Sequence, residues 1–169
     1  MGQALSGAGE RGRLLHDALT GSETATAAPP PWARLSFPSV TVQLDDALAG
    51  AVLSDAERRT VQRFVPMLRA ELGDDLRAVW LYGSRARGER PHPESDVDLM
   101  VIAAGDCERN RDAALGLSAQ AAEAEGESPF TYSVHTYTPE WLRGRREIES
   151  FFIQEVDRDK IVLDGSALE

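Results

Sequence analysis

The chain has one cysteine in 169 residues, Cys107. That excludes an internal disulfide and any zinc site built from cysteine alone. Basic residues are also scarce, with 18 Lys and Arg against 28 Asp and Glu, for a formal net charge of -10 and a pI near 4.8. A chain this acidic lacks the positive field that general nucleic-acid or anionic-membrane binding requires. Long apolar runs are absent too: nothing approaches the roughly 18 consecutive apolar residues of a membrane span. The stretch "RGRLLHDALTG" is interrupted by His16 and Asp17, so it does not read as a signal-peptide core. A cytoplasmic protein is the expectation.

What the chain does have is 42% hydrophobic residues, enough for one domain around one core. Residues 1–31 are rich in Gly, Ala, Ser and Thr and end in "AAPPP", just before Trp32. Such a segment buries little surface against its ordering entropy, and reads as a flexible extension with a short helix around residues 14–19. Residues 32–53 are mixed; "SVTVQL" alternates like a short strand, against Pro38 and the acidic pair Asp45 and Asp46. The well-patterned region is 54–169. There Ser54 with Glu57 forms a capping box, and Val61, Phe64, Val65, Leu68 and Leu72 recur at helical spacing up to Gly73. Pro66 inside that helix predicts a kink.

"RAVWLYG" and "SDVDLMVIAA" then read as buried strands, followed by an Ala-rich helix capped by Asp106. "FTYSVHTYT" reads as a third strand, closed by the helix-start signature Thr138-Pro139-Glu140. "EIESFFIQEVDRD" reads as an amphipathic helix and "KIVLDG" as the last strand. Strands alternating with helices predict an α+β fold, a mixed sheet flanked by helices on at least one face.

The unusual chemistry lies in "VWLYGSRARGERPHPESDVDLMV". Aspartate is a poor strand residue and costly to bury, yet Asp96 and Asp98 stand one residue apart at the start of a strand. Strand alternation points both the same way, with Val97 and Leu99 toward the core. Two adjacent carboxylates repel unless a cation lies between them. Their oxygens suit Mg²⁺, which usually binds one or two carboxylates together with substrate phosphates. Gly83 permits a close backbone approach to a ligand, and Ser84 begins a short helix whose N–H groups favour an anion. Arg85 and Arg87 are candidates for phosphate oxygens, with side-chain direction allowing only one of them. Either half alone is equally an ordinary turn with solvated arginines; both together are far more specific.

"GSRARGERPHPESDVDLMV" resembles the signature of the polymerase β-type nucleotidyltransferases, and its wording resembles the minimal nucleotidyltransferases of prokaryotes, some of which pair with a helical toxin partner. The likeness is strongest over residues 79–102 and extends by element order over 54–165. It implies a small nucleotidyltransferase fold, and transfer of a nucleoside monophosphate from ATP or another NTP to an acceptor hydroxyl. It also implies triphosphate binding by Gly83 and Ser84, and Mg²⁺ ligation by Asp96 and Asp98. The acceptor would belong to a partner protein, an RNA or a small molecule.

Active members usually carry a third carboxylate on the next strand, and two-metal catalysis depends on it. "FTYSVHTYT" contains no Asp or Glu. Ser133 and His135 stand nearest the expected position; His135 is either a plain sheet-edge residue or a general base. Glu140 and Glu149 lie beyond the strand. The alternative to an enzyme is therefore a non-catalytic, antitoxin-like or regulatory module that keeps nucleotide binding. Trp80, Tyr82, Phe151 and Phe152 fit a core, Arg143 to Arg146 a solvated helix end, and Cys107 a structural position.

Overall fold

The computed structural model describes residues 38–89, 92 and 95–168, with backbone only for 38–42. The predicted extension over residues 1–31 lies outside them. Four strands form one sheet in the order β3-β2-β1-β4: β1 (Leu76–Tyr82), β2 (Val97–Ala103), β3 (Tyr132–Tyr137) and β4 (Ile161–Gly165). β1 pairs antiparallel with both β2 and β4, and β2 runs parallel to β3. This is the mixed sheet expected from the alternation of strands and helices.

The sequence region 38–47 corrects one expectation. "SVTVQL" is not a strand; Pro38–Ala47 form helix α1. Leu44 and, one helical turn on, Leu48 are fully buried in the core. Burying that pair outweighs the β preference of the branched residues before it, because tertiary packing overrides local propensity.

α2 (Asp55–Leu72) starts at the expected capping box, with the Glu57 N–H donating to Ser54 Oγ and the Ser54 N–H to Glu57 Oε2. It runs through Pro66 and buries Val61, Phe64, Val65, Leu68 and Leu72. Arg69 ties its end to the sheet, donating to the Leu76 carbonyl at 2.9 Å and to the Asp164 carboxylate on β4. α4 (Cys107–Ala124) is capped by Asp106 and buries Ala114, Ala121 and Ala122. These small residues let it lie close to the sheet beside α2. Cys107 itself is exposed at the first position of α4, not part of the core.

On the other face lie α5 (Pro139–Glu147) and α6 (Phe151–Asp159). The sequence reads Glu147 onward as one helix, but Ile148, Glu149 and Ser150 are a connection. The Ser150 N–H reaches back to the Arg145 carbonyl and the Glu149 N–H to that of Arg146. This is a Schellman ending, and it places Glu149 at φ +51°.

Both faces of the sheet are thus covered. Val79, Leu81, Val97, Leu99, Val101 and Val134 pack with α1, α2 and α4. Ala78, Trp80, Tyr82, Met100 and Ile102 pack with Leu142 of α5 and Ile153 and Val156 of α6. Burial on both sides explains why β1 and β2 are near-continuous apolar runs.

Candidate active site

Strand alternation puts Asp98 on the α5/α6 face of the sheet, at the end where β1 finishes and β2 and β3 begin. Its register partners are Tyr82 on β1 and Ser133 on β3. From Tyr82 the chain turns directly into α3 (Gly83–Ala86), a single helical turn. Gly83 has φ +75°, and a Cβ built on it would stand 2.5 Å from Asp98 Oδ2. The positive φ favours glycine, and any side chain there would force the Asp98 carboxylate to shift. The glycine thus lets the turn stand directly against the Asp98 carboxylate.

Asp98 is half-buried and Asp96 exposed. Burial first, then the Asp96 carboxylate, holds the Asp98 carboxyl above the usual aspartate range; His135 and Arg87 pull the other way. These four charged or titratable groups therefore share one electrostatic neighbourhood. The Tyr82 phenol is pushed above its ordinary range, by burial first and then by Asp98 and Tyr137. His135 is exposed, and its Nε2 is 3.1 Å from Ser133 Oγ. Ser133, not His135, is in register with Asp98.

Arg85 and Arg87 part company. Arg85, the residue after Ser84, turns inward: its Nη2 donates to Glu57 Oε1 at 2.7 Å and to the Ser95 carbonyl at 3.1 Å. Its side chain is 7% exposed. The phosphate-binding expectation for Arg85 is corrected accordingly, since its guanidinium is committed inside the fold. Arg87 stays on the surface, where its Nε donates to Glu89 at 2.5 Å and its Nη1 reaches Asp159 of α6 at 3.5 Å.

Phe151 and Phe152 were expected in the core, yet they are 75% and 40% exposed. Phe152 meets the Tyr82 ring edge-on at 5.9 Å, so α6 borders the site with an aromatic edge. The sequence also gave no reason to single out Tyr137 and Trp141, which stack at 3.6 Å beside the α5 core, with Arg145 over the Trp141 ring. Arg146 bridges to Asp157 at 2.6 Å rather than ending a solvated helix. Glu140 sits in the first turn of α5 and Glu149 at its end.

The donor set fits one hard divalent cation. Asp96 and Asp98 supply carboxylate oxygens within each other's electrostatic reach, and a Cβ at position 83 would meet Asp98 Oδ2 itself. Among the described residues, neither at this pair nor elsewhere is a group of three or more His, Cys, Asp or Glu side chains arranged to hold a metal ion.

The family model for the nucleotidyltransferase domain matches residues 63–164, well over half of the chain. Two solved structures are similar in part. One, a crystal structure of a mutant MntA–HpeT toxin–antitoxin, is 18% identical, covering 59% of this chain and 68% of that chain at a TM-score of 0.36. The other, a crystal structure of a toxin–antitoxin with AMP-PNP, is 22% identical, covering 61% and 72% at a TM-score of 0.41. No curated protein matches the chain. Among the described residues, no helix is long and apolar enough to cross a membrane.

Proposed function

The chain belongs to the nucleotidyltransferase domain family, and we propose that it transfers a nucleoside monophosphate from an NTP, ATP first, to an acceptor hydroxyl. The acceptor is carried by a separate partner protein, an RNA or a small molecule. The observation that carries this reading is the closure of Gly83 over the Asp98 carboxylate, with Asp96 alongside. Carboxylate oxygens beside a turn with no side chain support a site where a triphosphate and its cation approach the backbone.

In this reading Asp96 and Asp98 hold one Mg²⁺. When bound, the ion neutralises charge on the phosphates and orients them for in-line attack. Gly83 and Ser84 bind triphosphate oxygens. Arg87 leaves Glu89 and Asp159 to meet the phosphates, an exchange of one anion for another. His135 accepts the acceptor's proton, held in orientation by Ser133 Oγ.

A second reading is favoured by one observation: Ser133 occupies the register position beside Asp98 where a third carboxylate would serve. On that reading the protein binds nucleotide without transferring it, as an antitoxin-like or regulatory module. One set of measurements separates the two. MgATP should raise the melting temperature of the wild type and much less that of Asp98→Asn; equal stabilisation rejects the site. With ATP labelled at the α-phosphate, His135→Ala should lower transfer about 10²- to 10⁴-fold while leaving MgATP binding intact. MgATP binding without label transfer to any acceptor, with or without candidate partners, leaves the binding module standing.

A further inference from the structure

We propose that the buried Glu57–Arg85 ion pair is a positioning device for the nucleotide site, fixing the Gly83–Ser84 turn against the residue that precedes Asp96. The proposal rests on the nucleotidyltransferase reading and adds to it two residues that touch no substrate.

Three segments meet at this pair. Arg85 belongs to α3 and follows Ser84 directly. Its Nη2 bonds both Glu57 Oε1 at 2.7 Å and the Ser95 carbonyl at 3.1 Å, one residue before Asp96. Glu57 uses its other oxygen, Oε2, to accept the Ser54 N–H at 2.6 Å, which locks the carboxylate to the first turn of α2. The Arg85 carbonyl in turn accepts the Val52 N–H at 3.0 Å. The phosphate turn and the approach to Asp96 are therefore held from one side by a single guanidinium. That guanidinium is itself aimed by a helix cap 28 residues earlier in the chain.

Stability alone is a poor reason for this arrangement. Glu57 and Arg85 are each 6% exposed, so both charges lose their hydration. A buried ion pair replaced by apolar side chains of similar volume is often neutral or more stable. Arg85 Nε is moreover buried with no hydrogen-bond partner among the described residues. What charged, forked hydrogen bonding adds over apolar packing is direction. Apolar side chains would fill the space and leave the turn free to slide relative to Asp98, across a gap too small for one Cβ. Supporting contacts behind a ligand set act in this way.

The double variant Glu57→Gln/Arg85→Met removes the pair and keeps a capping-box residue at position 57. In the full chain it should melt close to the wild type. Its MgATP dissociation constant should rise about 10- to 100-fold, the usual effect of removing contacts behind a metal ligand. Amide exchange at residues 83–87 should quicken while that of β1 and β2 stays put. Arg85→Lys keeps the charge but not the fork, and its affinity should fall between the two. A folded double variant that binds MgATP as the wild type does overturns the proposal. If the double variant does not fold, Arg85→Lys decides: wild-type affinity there overturns it, and a weakened one at unchanged melting supports it. A wild type that does not bind MgATP at all removes the functional reading and this proposal with it.

Discussion

The two faces of the single sheet are built to different rules. Toward α1, α2 and α4, Val97, Leu99 and Val101 of β2 are all buried, and no charged group interrupts them. Toward α5 and α6, the alternate residues of the same strand are Asp98, Met100 and Ile102, of which the last two are fully buried and the first only half. One strand thus carries an unbroken apolar row on one side and a row ending in a carboxylate on the other. Tolerance for charge is a property of that sheet end, where α3 and the start of α6 leave Asp98 partly open to water. The α2/α4 face specifies the fold, and the α5/α6 face is divided between folding and chemistry.

Moving the charge to the wrong face gives the largest expected effect. Leu99→Asp removes a buried leucine, a loss of about 2–5 kcal/mol. It also buries an unpaired carboxylate, against a total stability of about 5–15 kcal/mol for a domain. This variant should show no cooperative unfolding transition at neutral pH, by circular dichroism in urea. A native-like transition would mean that the apolar face tolerates charge as the other does, and the distinction between them would fall.

That distinction was largely legible in the sequence. Alternation through "SDVDLMV" sets Asp96 and Asp98 apart from Val97 and Leu99, and the capping box of α2 is written in Ser54 and Glu57. Other features were not legible. Helix α1 was hidden because its local pattern, "SVTVQL", suits a strand. The decisive contacts, Leu44 and Leu48 against the core, exist only once the sheet is there; their four-residue spacing was the one available signal. The direction of Arg85 was hidden for a similar reason. Its neighbours in sequence, Ser84 and Arg87, point to phosphate, whereas its partner Glu57 is distant along the chain and looked fully employed in the capping box. The Ser133 register with Asp98 depends on strand pairing, which fixes position to a single residue.

Asp98→Asn sharpens the comparison from the open side. In the ligand-free protein the fold raises this carboxyl's proton affinity, through burial and then Asp96. The native state therefore holds more protons than the unfolded one between the ordinary aspartate value and the raised one, and stability falls as pH rises through that window. Asn has no such charge, so the variant should be the more stable at neutral pH, by about 1 kcal/mol or less because water screens the exposed part of the group. Its advantage should vanish below the ordinary aspartate range. Urea midpoints from acid to neutral pH test this. A variant less stable than the wild type at neutral pH would mean that the Asp98 charge supports the ligand-free fold.

The smallest expected effect comes from a motif that both faces share. α4 ends in a Schellman turn, in which the Gly126 N–H meets the Glu123 carbonyl and the Glu127 N–H that of Ala122. The left-handed position there is Gly126, at φ +75°. α5 ends in the same pair of bonds, but with Glu149 at φ +51°. A side chain in this conformation costs roughly 1–2 kcal/mol, while glycine gives back roughly 0.5–1 kcal/mol through the entropy of the unfolded chain. Glu149→Gly should therefore stabilise the protein by about 0.75 kcal/mol, the middle of that difference, and Gly126→Ala should destabilise it. Paired urea titrations read both signs. If Glu149→Gly destabilises, the Glu149 side chain contributes more at the α5–α6 junction than its backbone conformation costs. The strain beside the exposed Phe151 would then be offset by that side chain, and the two helix ends would not differ in net stability as argued.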